Sequence, residues 1–232
     1  MNSPVFSQFA LDAAIVDLDG TMIDTLGDFV VALNRMLADL PAPFRTCTVD
    51  RSTVALLVGK GSENLINSVL RLAAGAGMEN FDALYNLAWT LYQDHYLAIN
   101  GQHATVYPGV VAGLQQLKRQ GLKLACLTNK PTAFAVPLLK AKGLDGFFDL
   151  RFGGDAFERK KPDPLPLLKT CEALGTVPQR TLMIGDSSND ALAARAAGCP
   201  VLLVTYGYNH GEPIRAVDAD AFVNSLAQLR IV

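Results

Sequence analysis

Asp17-Leu18-Asp19-Gly20-Thr21 places two carboxylates where an apolar run, Ala13-Ala14-Ile15-Val16, ends and the chain turns at Gly20. Residues two apart on a strand share a side, but a turn beyond the strand swings them to different positions around one centre. Two carboxylates this close cannot both ionise cheaply unless a cation lies between them or one holds a proton. The pair therefore suits a hard metal with oxygen ligands, a nucleophile working with a general acid, or both. Asp-Gly-Thr taken alone also reads as ordinary turn chemistry.

Three further segments supply the other parts of a site. Thr128-Asn129-Lys130 follows an apolar segment, Lys161 lies in Arg159-Lys160-Lys161-Pro162-Asp163-Pro164, and Gly185-Asp186-Ser187-Ser188-Asn189-Asp190 follows another apolar segment. Each has a mundane alternative. Thr128-Asn129 caps a helix, Lys161 is a solvated loop charge, and Asp186 and Asp190 are a cap and a first-turn acid favoured by the helix dipole. Their joint position at the carboxyl ends of successive strands argues for one site, because open parallel sheets bind ligands there.

The elements that must carry these residues are legible from residue 105 onward. Lys123–Thr128, Thr181–Asp186 and Pro200–Thr205 read as strands, joining Ala13–Val16. Helical patterns lie between them at Val110–Gln120, Pro164–Leu174 and Ser188–Ala197, each stopped by the glycine that follows: Gly121, Gly175 and Gly198. Pro137 weakens a further helix over Ala133–Lys142. Continuous apolar strands alternating with helices predict an α/β fold, a doubly wound parallel Rossmann-like sheet covered on both faces.

Residues 24–104 differ. Leu26, Phe29, Val30, Leu33 and Leu37 fall at helical spacing, as do Leu65, Ile66, Val69 and Leu70 behind a Ser62 N-cap, and Leu84, Tyr85, Ala88, Leu91, Tyr92 and Tyr96. The reading is an all-helical insertion at 24–104 within a core made of 1–23 and 105–232. Tyr85, Trp89, Tyr92 and Tyr96 read as helical core in preference to a ligand cavity.

Composition excludes several classes. The chain has 232 residues, half of them hydrophobic, with a formal net charge of −2, and its mean hydropathy is +0.22. No basic stripe speaks for nucleic acid or an anionic membrane. No apolar stretch reaches membrane-spanning length. Met1 to Phe6 lacks the basic-then-apolar pattern of a signal peptide. Cys47, Cys126, Cys171 and Cys199 are scattered, which fits reduced thiols in a cytoplasmic protein. His95, His103 and His210 lack metal-ligand spacing.

The order Asp-x-Asp-Gly-Thr, Thr-Asn, Lys-Pro and Gly-Asp-x-x-x-Asp resembles the haloacid dehalogenase superfamily, and the helical insertion resembles its cap. Gly153-Gly154-Asp155, Ala196-Ala197-Gly198-Cys199-Pro200 and Thr205-Tyr206-Gly207-Tyr208-Asn209 extend the likeness towards its bacterial phosphoglycolate phosphatases. The resemblance implies a Mg²⁺-dependent phosphatase acting on a small phosphate ester such as 2-phosphoglycolate. A sugar phosphatase or phosphomutase is the alternative. Asp17 is then the nucleophile, Asp19 the general acid and base, and Lys161 the charge partner of both Asp17 and phosphate. Thr128 and Asn129 bind phosphoryl oxygens. Asp17, Asp186 and the Asp19 backbone carbonyl hold Mg²⁺, with Asp190 one layer out holding Lys161 or a water. Lys60, between Gly59 and Gly61 where family members often carry Asn, is a candidate for a substrate carboxylate, with Arg45 and Arg51 behind it. The oligomeric state, monomer or homodimer, stays open.

Overall fold

The computed structural model describes residues 10–74 and 81–229. The N-terminal signal-peptide reading falls on residues outside that set. Among the described residues there are eight strands: β1 (Ala13–Val16), β2 (Ile23–Asp24), β3 (Thr105–Val106), β4 (Lys123–Leu127), β5 (Leu150–Phe152), β6 (Thr181–Gly185), β7 (Val201–Val204) and β8 (Ala221–Val223). Eight α-helices accompany them: α1 (Leu26–Asp39), α2 (Arg51–Leu57), α3 (Ser62–Ala74), α4 (Phe81–Ile99), α5 (Val110–Arg119), α6 (Thr132–Ala141), α7 (Leu165–Leu174) and α8 (Ser188–Ala197).

Six strands form one parallel sheet in the order β5-β4-β1-β6-β7-β8. The first strand in sequence thus lies in the interior, and the winding reverses on either side of it. All four residues of β1 are inaccessible to solvent, and their alternation splits the core. Ala14 and Val16 join α5 and α6 on one face, while Ala13 and Ile15 join α7 and α8 on the other. That two-sided cover is why the strands are apolar without polar alternation.

Helices α1 to α4 pack around a further apolar cluster that includes Leu33, Met36, Leu65, Val69, Tyr92 and Tyr96. Two residues of the sheet region, Phe134 and Tyr208, belong to the same cluster. The aromatic run divides: Tyr92 and Tyr96 are fully buried, whereas Tyr85 and Trp89 are half-buried at its edge. The antiparallel ribbon β2–β3 stands where the chain leaves and re-enters the sheet region, pairing Ile23 with Val106 and Asp24 with Thr105.

Several elements depart from the sequence reading. Pro137 sits inside α6 without ending it. Ser62 is the first residue of α3, not the residue before it. Helix α2 and the short strands β2, β3, β5 and β8 carry too few residues to show a period.

One buried charge ties the helical layer to the returning chain. The carboxylate of Asp28, on α1 and fully buried, accepts hydrogen bonds from the Gly101 N–H at 2.7 Å and the His103 N–H at 2.7 Å. Asp28→Leu leaves those donors without a partner, at a cost of about 2–3 kcal/mol. The expected fall in Tm, read by thermal unfolding, is roughly 5–10 °C. A change of about one degree would refute this role.

Candidate active site

The end of β1 sets the geometry. The Asp17 N–H still donates to the Ile184 carbonyl at 2.9 Å, as if the sheet continued, so Asp17 is held as rigidly as a strand residue. Leu18 then buries itself fully, and the chain reverses at Gly20, whose φ is +81°. A Cβ at Gly20 would collide with Asp186 and Tyr208, so this turn requires glycine twice over.

This turn sends the two carboxylates to different lysines. Asp17 Oδ1 accepts from Lys161 Nζ at 2.8 Å. Asp19 accepts from Lys130 Nζ, at 3.0 and 3.2 Å to its two oxygens. The repulsion implicit in Asp-x-Asp is therefore relieved by two separate cations.

Strand β4 delivers the next group. The Thr128 N–H donates to the Phe152 carbonyl at 3.0 Å, and the Thr128 hydroxyl accepts from the Lys130 N–H at 3.2 Å. The Asn129 side chain clamps Lys161. Its oxygen accepts from the Lys161 N–H at 3.0 Å, and its amide donates to the Lys161 carbonyl at 2.8 Å. Lys161 Nζ meets Asp17, Asp190 Oδ1 at 2.7 Å and the Leu127 carbonyl at 2.9 Å. An ammonium has three donors, and all three are in use.

Strand β6 brings in Asp186 and the start of α8. The Thr21 hydroxyl and the Tyr208 N–H donate to the two Asp186 oxygens, at 3.1 and 2.6 Å. Asp190 Oδ2 accepts from the Asp186 N–H, the Ser187 N–H and the Ser187 hydroxyl, at 3.1, 3.2 and 2.9 Å. With Oδ1 given to Lys161, both Asp190 oxygens are engaged, which suits a supporting role.

Electrostatics mark this cluster out. One carboxylate oxygen from each of Asp17, Asp186 and Asp190 lies within 4.8 Å of the others, and all three residues are buried. Burial first, then the neighbouring Asp190 and Asp19 charges, raises Asp17 to about 7 against the pull of Lys161. Burial and the charges of Asp190 and Asp17 likewise raise Asp186. Burial opposes the Lys161 charge, but Asp17 and Asp190 outweigh it and push that lysine above its ordinary range. One ammonium does not balance three carboxylates, and the donor set is all oxygen. That combination fits a hard divalent cation. Shifted groups gathered in a cleft are characteristic of functional sites.

The helical layer roofs the cleft with Phe29, Val58, Gly59, Gly61, Ser62 and Leu65. The side-chain amides of Asn129 and Asn189 both donate to the Gly59 carbonyl, at 3.0 and 3.1 Å. Lys160 and Glu63 pair across the same gap at 2.6 Å. Lys60 is not brought into the cleft: its flanking glycines line it, but Lys60 itself is exposed and absent from the lining. Arg51 pairs with Asp24, and Arg45 is exposed.

Sequence reasoning assigned no role to Lys130, Thr21, Tyr208 or Asn189. Lys130 adjoins Thr128-Asn129 and was open to notice. The contribution of Tyr208 is a backbone N–H, which no residue type announces. Gly207 shows why that loop comes so close, since a Cβ there would overlap the Asp186 side chain. Gly207→Ala is expected to displace Asp186 and abolish stabilisation by Mg²⁺. A cation bound there would add about 2.7 kcal/mol at a hundredfold excess over its Kd, read as a Mg²⁺-dependent rise in Tm of the unsubstituted protein. An undiminished rise in the variant would refute the placement.

The sequence matches the family of haloacid dehalogenase-like hydrolases over residues 11–198. The phosphoglycolate phosphatase of Thiobacillus denitrificans is 44% identical over 222 residues, 96% of this chain and 95% of that protein. The plasmid phosphoglycolate phosphatase of Cupriavidus necator is 45% identical over 217 residues, 94% of this chain and 90% of that protein. A solved structure from Haemophilus somnus, described as a predicted phosphoglycolate phosphatase, superposes with a TM-score of 0.86 at 32% identity, covering 94% of this chain and 96% of its own. With its aspartates and lysines gathered at the reversal point of a parallel sheet, this chain belongs to the haloacid dehalogenase-like hydrolase family.

Proposed function

We propose that this phosphoric monoester hydrolase cleaves 2-phosphoglycolate to glycolate and phosphate through an aspartyl-phosphate intermediate. The observation that carries the chemistry is the separate pairing of the two aspartates: Asp17 with Lys161 at 2.8 Å and Asp19 with Lys130 at 3.0 Å. A single carboxylate suffices for attack, so a second one, held apart from the first by the turn at Gly20, is available for a distinct acid–base function. The substrate reading is supported by the two relatives of that name, at 44% and 45% identity over most of both chains.

In the first half-reaction an Asp17 oxygen bonds to phosphorus as the ester P–O bond breaks. Asp19 gives its proton to the leaving glycolate oxygen. Lys161 holds Asp17 in line and carries positive charge beside the transferring phosphoryl group. The Thr128 hydroxyl and the Asn129 N–H hold phosphoryl oxygens. In the second half, water attacks phosphorus, Asp19 takes the water proton, and the Asp17 carboxylate leaves. Mg²⁺, held by Asp17, the Asp19 backbone carbonyl and Asp186, would offset the repulsion between an anionic nucleophile and a phosphate dianion.

The helical layer acts as a cap that keeps bulk water from the intermediate. No described helix is long and apolar enough to cross a membrane. The four cysteines are free, which accords with a cytoplasmic setting.

Asp17→Asn is expected to abolish turnover while the fold persists, with a loss of at least about a thousandfold. Residual activity of a few per cent would remove Asp17 as nucleophile. Asp19→Asn is expected to slow 2-phosphoglycolate by roughly a hundredfold or more, and an aryl phosphate with an activated leaving group far less. Equal losses on the two esters would exclude Asp19 as the acid. A panel of small phosphate esters, sugar phosphates included, tests the substrate: kcat/KM is expected to be highest for 2-phosphoglycolate.

A further inference from the structure

Two lysines line the cleft, and they differ in spare capacity. Lys161 has spent all three donors on Asp17, Asp190 and the Leu127 carbonyl. Lys130 is equally buried, at 4% exposed, but its partner is one carboxylate, that of Asp19. The rest of its ammonium lies against aromatic faces, 4.3 Å from the Phe29 ring centre and 4.7 Å from that of Tyr96. Such faces stabilise a desolvated cation without consuming a donor. Lys130 lines the cleft, and its ammonium bonds the two Asp19 oxygens, so of its three donors one is not spent on a carboxylate.

We propose that Lys130 is the specificity residue of this site: its ammonium binds the carboxylate of the departing group while its contact with Asp19 positions the acid. The inference rests on the substrate reading above. Its logic lies in the shape of the ester. In 2-phosphoglycolate a single methylene separates the ester oxygen from the carboxylate. Asp19 must reach that ester oxygen, so a cation already bonded to Asp19 stands beside the place the carboxylate occupies. Gly61 and Ser62, at the N-terminal end of α3, line the same cleft and add partial positive charge there. Other nearby cations do not serve: Lys60, Lys160 and Arg51 are not among the residues that line the cleft.

The test compares 2-phosphoglycolate with ethyl phosphate, which has a leaving group of similar size and no carboxylate. The variant is Lys130→Met, which keeps the apolar stem against Phe29 and Tyr96 and removes the charge. Because Lys130 also positions Asp19, both esters are expected to slow. The carboxylate ester is expected to lose a further ten- to hundredfold in kcat/KM, mainly through KM, as fits one charged hydrogen bond. Lys130→Gln repeats the measurement if the methionine variant does not fold.

If the unsubstituted enzyme favours 2-phosphoglycolate and both variants keep that preference undiminished, Lys130 only positions Asp19 and the proposal fails while the substrate reading stands. If the unsubstituted enzyme shows no preference for the carboxylate ester, the substrate reading itself fails and takes this inference with it. Collapse of the ratio in the variants, with the preference present in the parent, supports both.

Discussion

Three carboxylates around one buried ammonium form the constraint on which this protein is organised. Asp17, Asp186 and Asp190 each present an oxygen within 4.8 Å of the others at the ends of two fully buried strands, β1 and β6. Such a cluster is unfavourable in a low-dielectric interior unless every lone pair and proton is accounted for. Lys161 bonds two of the three carboxylates, and Thr21, Ser187 and backbone N–H groups take most of the remaining oxygens. What is left unbalanced is negative charge on an all-oxygen donor set, which suits a hard divalent cation.

Rigidity at this point comes from the sheet. The hydrogen-bond ladder runs past the last strand residue into Asp17 and Thr128, so this carboxylate and this hydroxyl inherit the positional precision of strands. Glycines at 20, 185 and 207 admit the carboxylates at distances that any Cβ would block. Asn129 serves three partners at once, bonding both backbone groups of Lys161 and the carbonyl of Gly59. The lysine that bonds Asp17 and the loop that roofs the cleft are thereby coupled through one amide. The contact with Gly59 joins the helical layer to the strand ends at the site itself.

Tyr208 makes a second link of this kind. Its N–H fixes Asp186, while its hydroxyl accepts from the Thr25 N–H at 3.0 Å and donates to Asp24 at 2.6 Å, beside the β2–β3 ribbon. One tyrosine thus ties the start of α1 and the ribbon to a carboxylate of the cluster, although 22 residues separate Tyr208 from Asp186 in sequence.

The amino-acid sequence by itself determined the strands and helices with enough residues to show a period: β1, β4, β6 and β7, and helices α1, α3, α4, α5, α7 and α8. It also determined the reactive types, because aspartates at strand ends, Thr-Asn and Lys-Pro are local features that need no partner to be recognised. Elements of two or three residues, such as β2 and β3, were beyond it, since their existence depends on a partner strand about eighty residues away. Tertiary structure alone decided how charges were shared. Lys60 carries the conspicuous setting between two glycines, yet it faces outward. Lys130 lies buried against Phe29 and Tyr96, rings contributed by α1 and α4, and reaches Asp19 across 111 positions of sequence. The physical reason is that a side chain's chemistry is written in its residue type, whereas its electrostatic partner is set by which distant surfaces the hydrophobic core draws together.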